Sequence, residues 1–173
     1  MAGMLALTTA ACGVAEPGVR ATGSAAEGGG GGLIPDGTVP ITYDYIDGII
    51  DFGERGPAHP EYDGFLTHAF QDLEAFWAAE FPAVFGFDWQ PLQGEIYAAY
   101  PNRTSPIPAC DPAGGTIAYD YVQMNAFYCG IGDYMIYDDE QLLPQFVEEL
   151  GMEAVGIVLA HEFGHAVQAR NGD

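Results

Sequence analysis

The chain has 173 residues, of which 49% are hydrophobic and 13% aromatic, enough for a single domain with its own core. It carries 25 acidic residues against four arginines and no lysine, for a formal net charge of −21. Such an acidic surface repels nucleic acid and anionic membranes, so the sequence excludes both as direct partners. The acidity is typical of a protein that must stay soluble outside the cell or in a salty medium.

The first twelve residues are interpreted as an export signal. Residues 1–11 are apolar and small, and they are too few to cross a bilayer, which takes about 20 residues. Small residues directly before Cys12 resemble the lipobox of bacterial lipoproteins, in which this cysteine would carry a lipid anchor at the outer face of the membrane. Thr9 stands where leucine is usual, and the missing positive stretch suggests a start upstream of Met1. An ordinary cleaved signal is the alternative.

Residues 13–37 are rich in glycine and alanine and include five consecutive glycines at 28–32. They contain too few large apolar side chains to fold, which predicts a flexible tether between the anchor and a folded domain at 38–173.

Two further cysteines, Cys110 and Cys129, fall within this domain. A cysteine pair in an exported domain is typical of a disulfide, and two free buried thiols are the alternative. A bridge would close a loop of about 18 residues and contribute roughly 3 kcal/mol through the chain entropy.

Hydrophobic periodicity and turn residues outline the folded part. In chain order they predict an extended or short helical entry at 43–52, a helix at 61–80 that ends before Pro82, a strand at 95–100, a β-hairpin at 125–129 and 134–137, and a helix at 140–150. Residues 153–170 are apolar nearly all round, which predicts a last helix buried in the centre of the domain. The fold class expected from this order is α+β, with a small sheet packed on that buried helix.

The last predicted helix contains a metal-binding pattern. His161 and His165 are four residues apart, so they project from one face and both imidazoles can reach one metal ion. Glu162 lies about 100° further round the helix, where its carboxylate can act as general base on a zinc-activated water. Two histidines and a glutamate are costly on an otherwise apolar helix unless they have partners. The pattern therefore predicts that His161 and His165 bind Zn²⁺ and that Glu162 is catalytic.

A catalytic zinc also needs a third protein ligand and one open position. His59 and His68 are candidates, although a surface or half-buried role is the simpler interpretation of each. The metzincin pattern requires glycine and histidine where this chain has Gln168 and Asn171, so that class is excluded. Asp173 is the remaining nearby carboxylate. We expect an acidic third ligand on a later helix, beyond residue 173.

Three segments together carry a family resemblance. Residues 125–129 (Asn-Ala-Phe-Tyr-Cys), 132–139 and 158–168 are similar, in order and interval, to the bacterial neutral zinc metallopeptidase family. The resemblance implies a gluzincin-like zincin fold, with His161 and His165 as ligands and Glu162 as the base. It also implies that an edge strand beside the active-site helix, at 125–129 or 134–137, holds the substrate by backbone pairing.

These features favour peptide-bond hydrolysis by an exported, lipid-anchored zinc metallopeptidase of the cell envelope that acts on a peptide or protein substrate. The alternative is a non-catalytic zincin-like module that binds a peptide or an envelope partner, and an intact Glu162 favours the enzyme. A structural zinc site is a weaker interpretation, since such sites use four ligands and favour cysteine. With only two histidine ligands, the chain is expected to bind zinc weakly and to be a poor enzyme.

Overall fold

The computed structural model describes residues 43–172. Within them the fold is α+β, as expected, with three α-helices and one three-stranded mixed sheet. The elements are α1 (Asp63–Phe85), β1 (Ile96–Ala99), β2 (Ala126–Cys129), β3 (Tyr134–Asp138), α2 (Leu142–Leu150) and α3 (Met152–Asn171). The expected export signal with Cys12, the tether at 13–37 and Asp173 lie outside the described residues.

The segment at 43–52 was expected to be extended or a short helix, but it forms neither a helix nor a strand. Its one β-type pairing is an isolated bridge between Asp51 and Tyr97. Helix α1 then runs past Pro82, which we expected to follow its end. Proline lacks the N–H donor but keeps its carbonyl acceptor, so it can sit in a last turn. The Pro82 carbonyl accepts the N–H of Gly86 at 3.0 Å, and Gly86, at φ 83°, closes the helix in the left-handed region.

The predicted hairpin is confirmed: β2 and β3 are antiparallel, with Ala126 opposite Tyr137 and Cys129 opposite Tyr134. Strand β1 lies on the other side of β3 and runs parallel to it, so the order is β1-β3-β2. All five residues of β3 are buried because both faces of the sheet are covered. Strand β2 is an edge strand, because it pairs with β3 on one side only.

The two faces of the sheet pack against different structures. The face formed by Ile96, Ala98, Met135 and Tyr137 lies in one core with residues of all three helices. The opposite face packs under the long irregular segment between β1 and β2, through Tyr97, Ala99, Tyr134, Ile136, Ile107 and Val122. The helices, and with them the candidate site, lie on the first face.

The expected disulfide is confirmed between Cys110 and Cys129, with a Cα–Cα distance of 5.7 Å. It ties the irregular segment to the last residue of β2. At a sequence separation of 19, it contributes roughly 3 kcal/mol in the chain-entropy model.

Helix α3 buries one face and exposes the other. Its inward side packs on α1, α2 and β2 through Val155, Leu159, Phe163, Ala166 and Val167. A Cβ on Gly156 would lie 2.9 Å from Phe65 Cζ, so this glycine allows the close approach of α1. The opposite side is open, and Ile157 is 71% exposed. The expectation of a helix buried on every side is wrong, because small and apolar residues also occupy the open face.

No helix in residues 43–172 has both the length and the apolarity needed to cross a membrane.

Candidate metal centre

The two motif histidines lie on the open face of α3. His161 and His165 are both exposed, and their ring centroids are 5.0 Å apart at an interplanar angle of 83°. Helical spacing alone places them one turn apart on the same side. The pair therefore presents two imidazoles to solvent at a separation that suits shared coordination of one ion.

A hydrogen bond fixes which nitrogen of His165 is free. His165 Nδ1 lies 2.9 Å from the side-chain oxygen of Gln168, one turn further along the helix. An amide oxygen only accepts, so Nδ1 is the donor and Nε2 keeps its lone pair. Metal-binding histidines in proteins are held in the same way by a partner on the other ring nitrogen. His161 and His165 thus supply imidazole nitrogens of the kind that zinc takes, and they are two of the three protein ligands that a catalytic zinc needs.

Glu162 lies about 100° round the helix from His161 and faces the fold rather than solvent. Its side chain is 9% exposed, and its Oε2 accepts a hydrogen bond from the backbone N–H of Tyr128 on β2 at 3.2 Å. The Tyr128 amide points outward because it belongs to the unpaired edge of the sheet. One carboxylate oxygen is thereby anchored, and Glu162 also lines the groove described next.

An apolar groove of about 380 Å³ adjoins the motif. It is lined by His161 and Glu162 together with Met124, Asn125, Ala126, Leu142, Phe146, Ile157 and Val158. The groove lies between the start of β2, the start of α2 and the open face of α3. An apolar side chain can therefore be held beside the Glu162 carboxylate.

Asp138 holds two walls of this groove in place. Its side chain is fully buried and accepts five hydrogen bonds, from Tyr119 Oη (2.9 Å) and from the backbone N–H groups of Met124 (2.7 Å), Glu140 (2.9 Å), Gln141 (3.1 Å) and Leu142 (3.3 Å). Met124 has a positive φ of 58°, an unfavourable conformation for a non-glycine residue. The Asp138 carboxylate stabilises this conformation and the first turn of α2 together.

A second network fixes the hairpin against the end of α3. Arg170 Nη2 donates to Asp133 Oδ2 at 2.9 Å, and Tyr128 Oη donates to Asp133 Oδ1 at 2.6 Å. Burial, followed by the hydrogen bond to Asp133, raises the pKa of Tyr128, so the phenol remains a donor at neutral pH. The Arg170 guanidinium also lies 4.6 Å from the Trp89 ring centroid. These contacts hold the Tyr128 amide at the distance at which it reaches Glu162.

His161, Glu162 and His165 share helix α3, and neither of the other two histidines lies on it. His68 lies on α1, where its Nε2 contacts the backbone carbonyl of Asp44 at 3.0 Å. His59 precedes α1, and its ring stacks on Tyr62. Within residues 43–172 no three histidine, cysteine or acidic side chains form a group that could hold a metal. His59 and His68 are therefore not the third ligand in this arrangement.

Sequence reasoning missed Gln168 as a hydrogen-bond partner of His165, and it missed Asp138, Asp133 and Arg170 as supports of the site. The Gln168 contact had a signal, since it lies three residues after a motif histidine on the same helix face. Asp138 also had a local signal, since three of its hydrogen bonds go to the backbone just before and at the start of α2, as an aspartate before a helix often does. The Asp138 bond to Met124 and the Arg170 bond to Asp133 join segments that only the tertiary structure brings together.

Comparisons of the chain with family models, curated proteins and solved structures give no match. The side chains and their geometry must therefore support any assignment of function.

Proposed function

We propose that this chain carries the zinc-binding and proton-transferring residues of a zincin-like metallopeptidase that hydrolyses peptide bonds. The observation that supports the proposal best is the arrangement of the three motif side chains on α3. Two imidazoles face solvent, one of them oriented by Gln168, while the carboxylate between them is buried and anchored by Tyr128. We further propose, from the sequence, that the protein is exported and anchored to the outer face of the membrane through a lipid on Cys12.

His161 and His165 would hold the metal. The His165 Nδ1–H donated to Gln168 leaves Nε2 as the ligand atom, and the bond keeps that ring from rotating. A zinc ion bound there supplies Lewis-acid polarisation of a peptide carbonyl and makes a water molecule more acidic.

Glu162 would move the proton. With Oε2 held by the Tyr128 N–H, Oε1 takes a proton from the attacking water and passes it to the leaving amine. The buried position beside an apolar groove limits competition from bulk water. An intact general base beside two histidines that can bind a metal favours the enzyme over a non-catalytic binding module.

Strand β2 would hold the substrate. Strand β3 is paired on both sides, so of the two segments considered from the sequence only β2 keeps an open edge. The amide of Ala126 faces the same side as that of Tyr128, because backbone groups alternate along a strand. An extended peptide placed along Ala126 would lie in the groove with a side chain next to Glu162.

The proposal is tested by hydrolysis of an unfolded protein substrate, using the whole protein as its own cells make it. We expect cleavage to stop when a strong chelator removes zinc and to return when one equivalent of zinc is restored. Circular dichroism checks that the fold survives the treatment. Cleavage that continues at the same rate after zinc removal would refute the proposal, and so would a protein that cleaves nothing when zinc-loaded.

A further inference from the structure

The groove beside the candidate metal centre suits a large apolar side chain. Apart from His161 and Glu162, every residue that lines it is uncharged. Its volume of about 380 Å³ falls within the range of small ligand pockets. Ile157, on the α3 side of the groove, is 71% exposed, so a bound side chain would cover apolar surface that now faces water.

The positive charges of the fold are paired and largely withdrawn from the surface. The chain has no lysine, and each of the three arginines in residues 43–172 pairs with an aspartate. The side chains of Arg103 and Arg170 are 4% and 9% exposed. Arg55 is 23% exposed, and it also binds Glu140 at 3.1 Å. The charges that this part of the chain offers to a partner are therefore mainly carboxylates.

Two exposed carboxylates flank the wall that α2 gives to the groove. Glu149 lies three residues after Phe146, and so on the same face of the helix. Its Oε1 accepts the side-chain amide of Gln145 at 2.9 Å, a neutral partner that leaves the charge of the carboxylate in place. At the other end, Glu140 precedes Leu142, the first residue of α2, by two positions. A carboxylate thus stands at each end of the wall.

The distance between these two carboxylates sets a spacing for the partner. Glu140 and Glu149 are separated by roughly 12 Å at the rise of an α-helix. An extended polypeptide advances about 3.3 Å per residue, so about four residues cover that length. A lysine or arginine about two residues to either side of an apolar residue in the groove would reach the carboxylates.

We propose that the groove selects cationic polypeptide segments, in which a large apolar residue is flanked by lysine or arginine. The inference rests on the function proposed above, for which it names the substrate class. Charge complementarity supports it: the formal net charge of −21 attracts a cationic segment from a distance, and the two flanking carboxylates hold it beside the groove. The same field repels an anionic segment.

Peptide binding to the 173-residue chain without added zinc tests the inference, because binding is then measured without hydrolysis. The probes are fluorescent peptides with a central leucine and with lysine, glutamine or glutamate two residues to each side. We expect the lysine peptide to bind at least about tenfold more tightly than the glutamate peptide at about 20 mM salt. The ratio should fall severalfold at about 200 mM salt, where charges are screened over a shorter distance.

Two double variants separate the flanking carboxylates from the net charge. Glu140→Gln with Glu149→Gln should weaken binding of the lysine peptide about fivefold at low salt. Asp72→Asn with Glu80→Gln also removes two exposed carboxylates, but from α1, which does not line the groove. This control should weaken binding less than about twofold. Circular dichroism checks that each variant keeps the fold.

A second pair of variants tests the apolar part of the site. Ile157→Ser should weaken binding of the lysine peptide about threefold, because it removes apolar surface from the groove. Val84→Ser makes a similar change at a residue of α1 that is 64% exposed, and it should leave the affinity unchanged.

Equal affinity for the lysine and glutamate peptides would overturn the inference. It would also be overturned if the α1 double variant weakened binding as much as the groove double variant, since net charge alone would then explain the preference. These results are independent of the zinc-dependent assay. If the lysine peptide binds as expected but the zinc-loaded whole protein cleaves nothing, the selectivity of the groove stands and the proposed function fails. Zinc-dependent cleavage of the lysine and glutamate peptides with equal kcat/KM would have the reverse meaning.

Discussion

Replacing Asp138 with alanine is expected to destabilise the protein by about 3–5 kcal/mol. The fully buried carboxylate accepts five hydrogen bonds, and alanine would leave five donors unpaired. One of them is the N–H of Met124, whose positive φ depends on that bond. Chemical unfolding followed by circular dichroism measures the change.

Asp120→Ala is the matched control, since Asp120 is an exposed aspartate on the same irregular segment. It should change the free energy of unfolding by less than about 0.5 kcal/mol. A loss below about 1 kcal/mol for Asp138→Ala would mean that the β3–α2 turn and the groove are held by other contacts.

Replacing Glu162 with glutamine is expected to lower kcat for peptide hydrolysis by about 10²–10⁴-fold, the usual contribution of a positioned general base. Glutamine keeps the side-chain volume and an oxygen for the Tyr128 N–H, but it cannot take a proton from water. Zinc affinity and stability should therefore stay close to those of the unmodified protein. The whole protein, assayed on a fluorogenic peptide, gives the rates.

Glu153→Gln makes the same chemical change on the exposed first turn of α3, away from the groove. Its kcat should match that of the unmodified protein. If Glu162→Gln retained more than half of the activity, a different group would have to move the proton.

The local elements were predictable where one short-range signal dominated. The 125–137 hairpin had a turn with two glycines between aromatic strands, and α3 ends at Asn171, next to the predicted end at residue 170. The parallel pairing of β1 with β3 was not predictable, because these strands are separated by more than 30 residues and no local pattern records their register. The five buried residues of β3 also lack the alternation that marks a half-exposed strand.

The site was predictable only in part, because some of its contacts also join residues that are far apart in the sequence. Helical geometry alone places His161 and His165 on one face. The burial of Glu162 depends on β2 approaching α3, which Arg170, Asp133 and Tyr128 maintain across the fold. The prediction of a helix without an open face failed because composition cannot distinguish an apolar residue that is buried from one, such as Ile157, that is not.

Consecutive residues at the end of β3 serve two separate regions. Asp138 organises the groove beside the candidate metal centre, and Asp139 ties Arg55 and Tyr62, which precede α1, to the end of β3. The two carboxylates point to opposite sides because side chains alternate along a strand. A change at either position should therefore report on its own region.

The central claim is that His161 and His165 bind zinc, and a zinc titration of the 173-residue chain against an indicator of known affinity tests it most directly. We expect one zinc to bind weakly, and His161→Ala and His165→Ala each to lower the affinity at least about tenfold. Gln168→Leu should lower it about tenfold by freeing the His165 ring, and His68→Ala should leave it unchanged. If His161→Ala and His165→Ala bound zinc as tightly as the unmodified chain, the two histidines would not be its ligands and the account would be wrong.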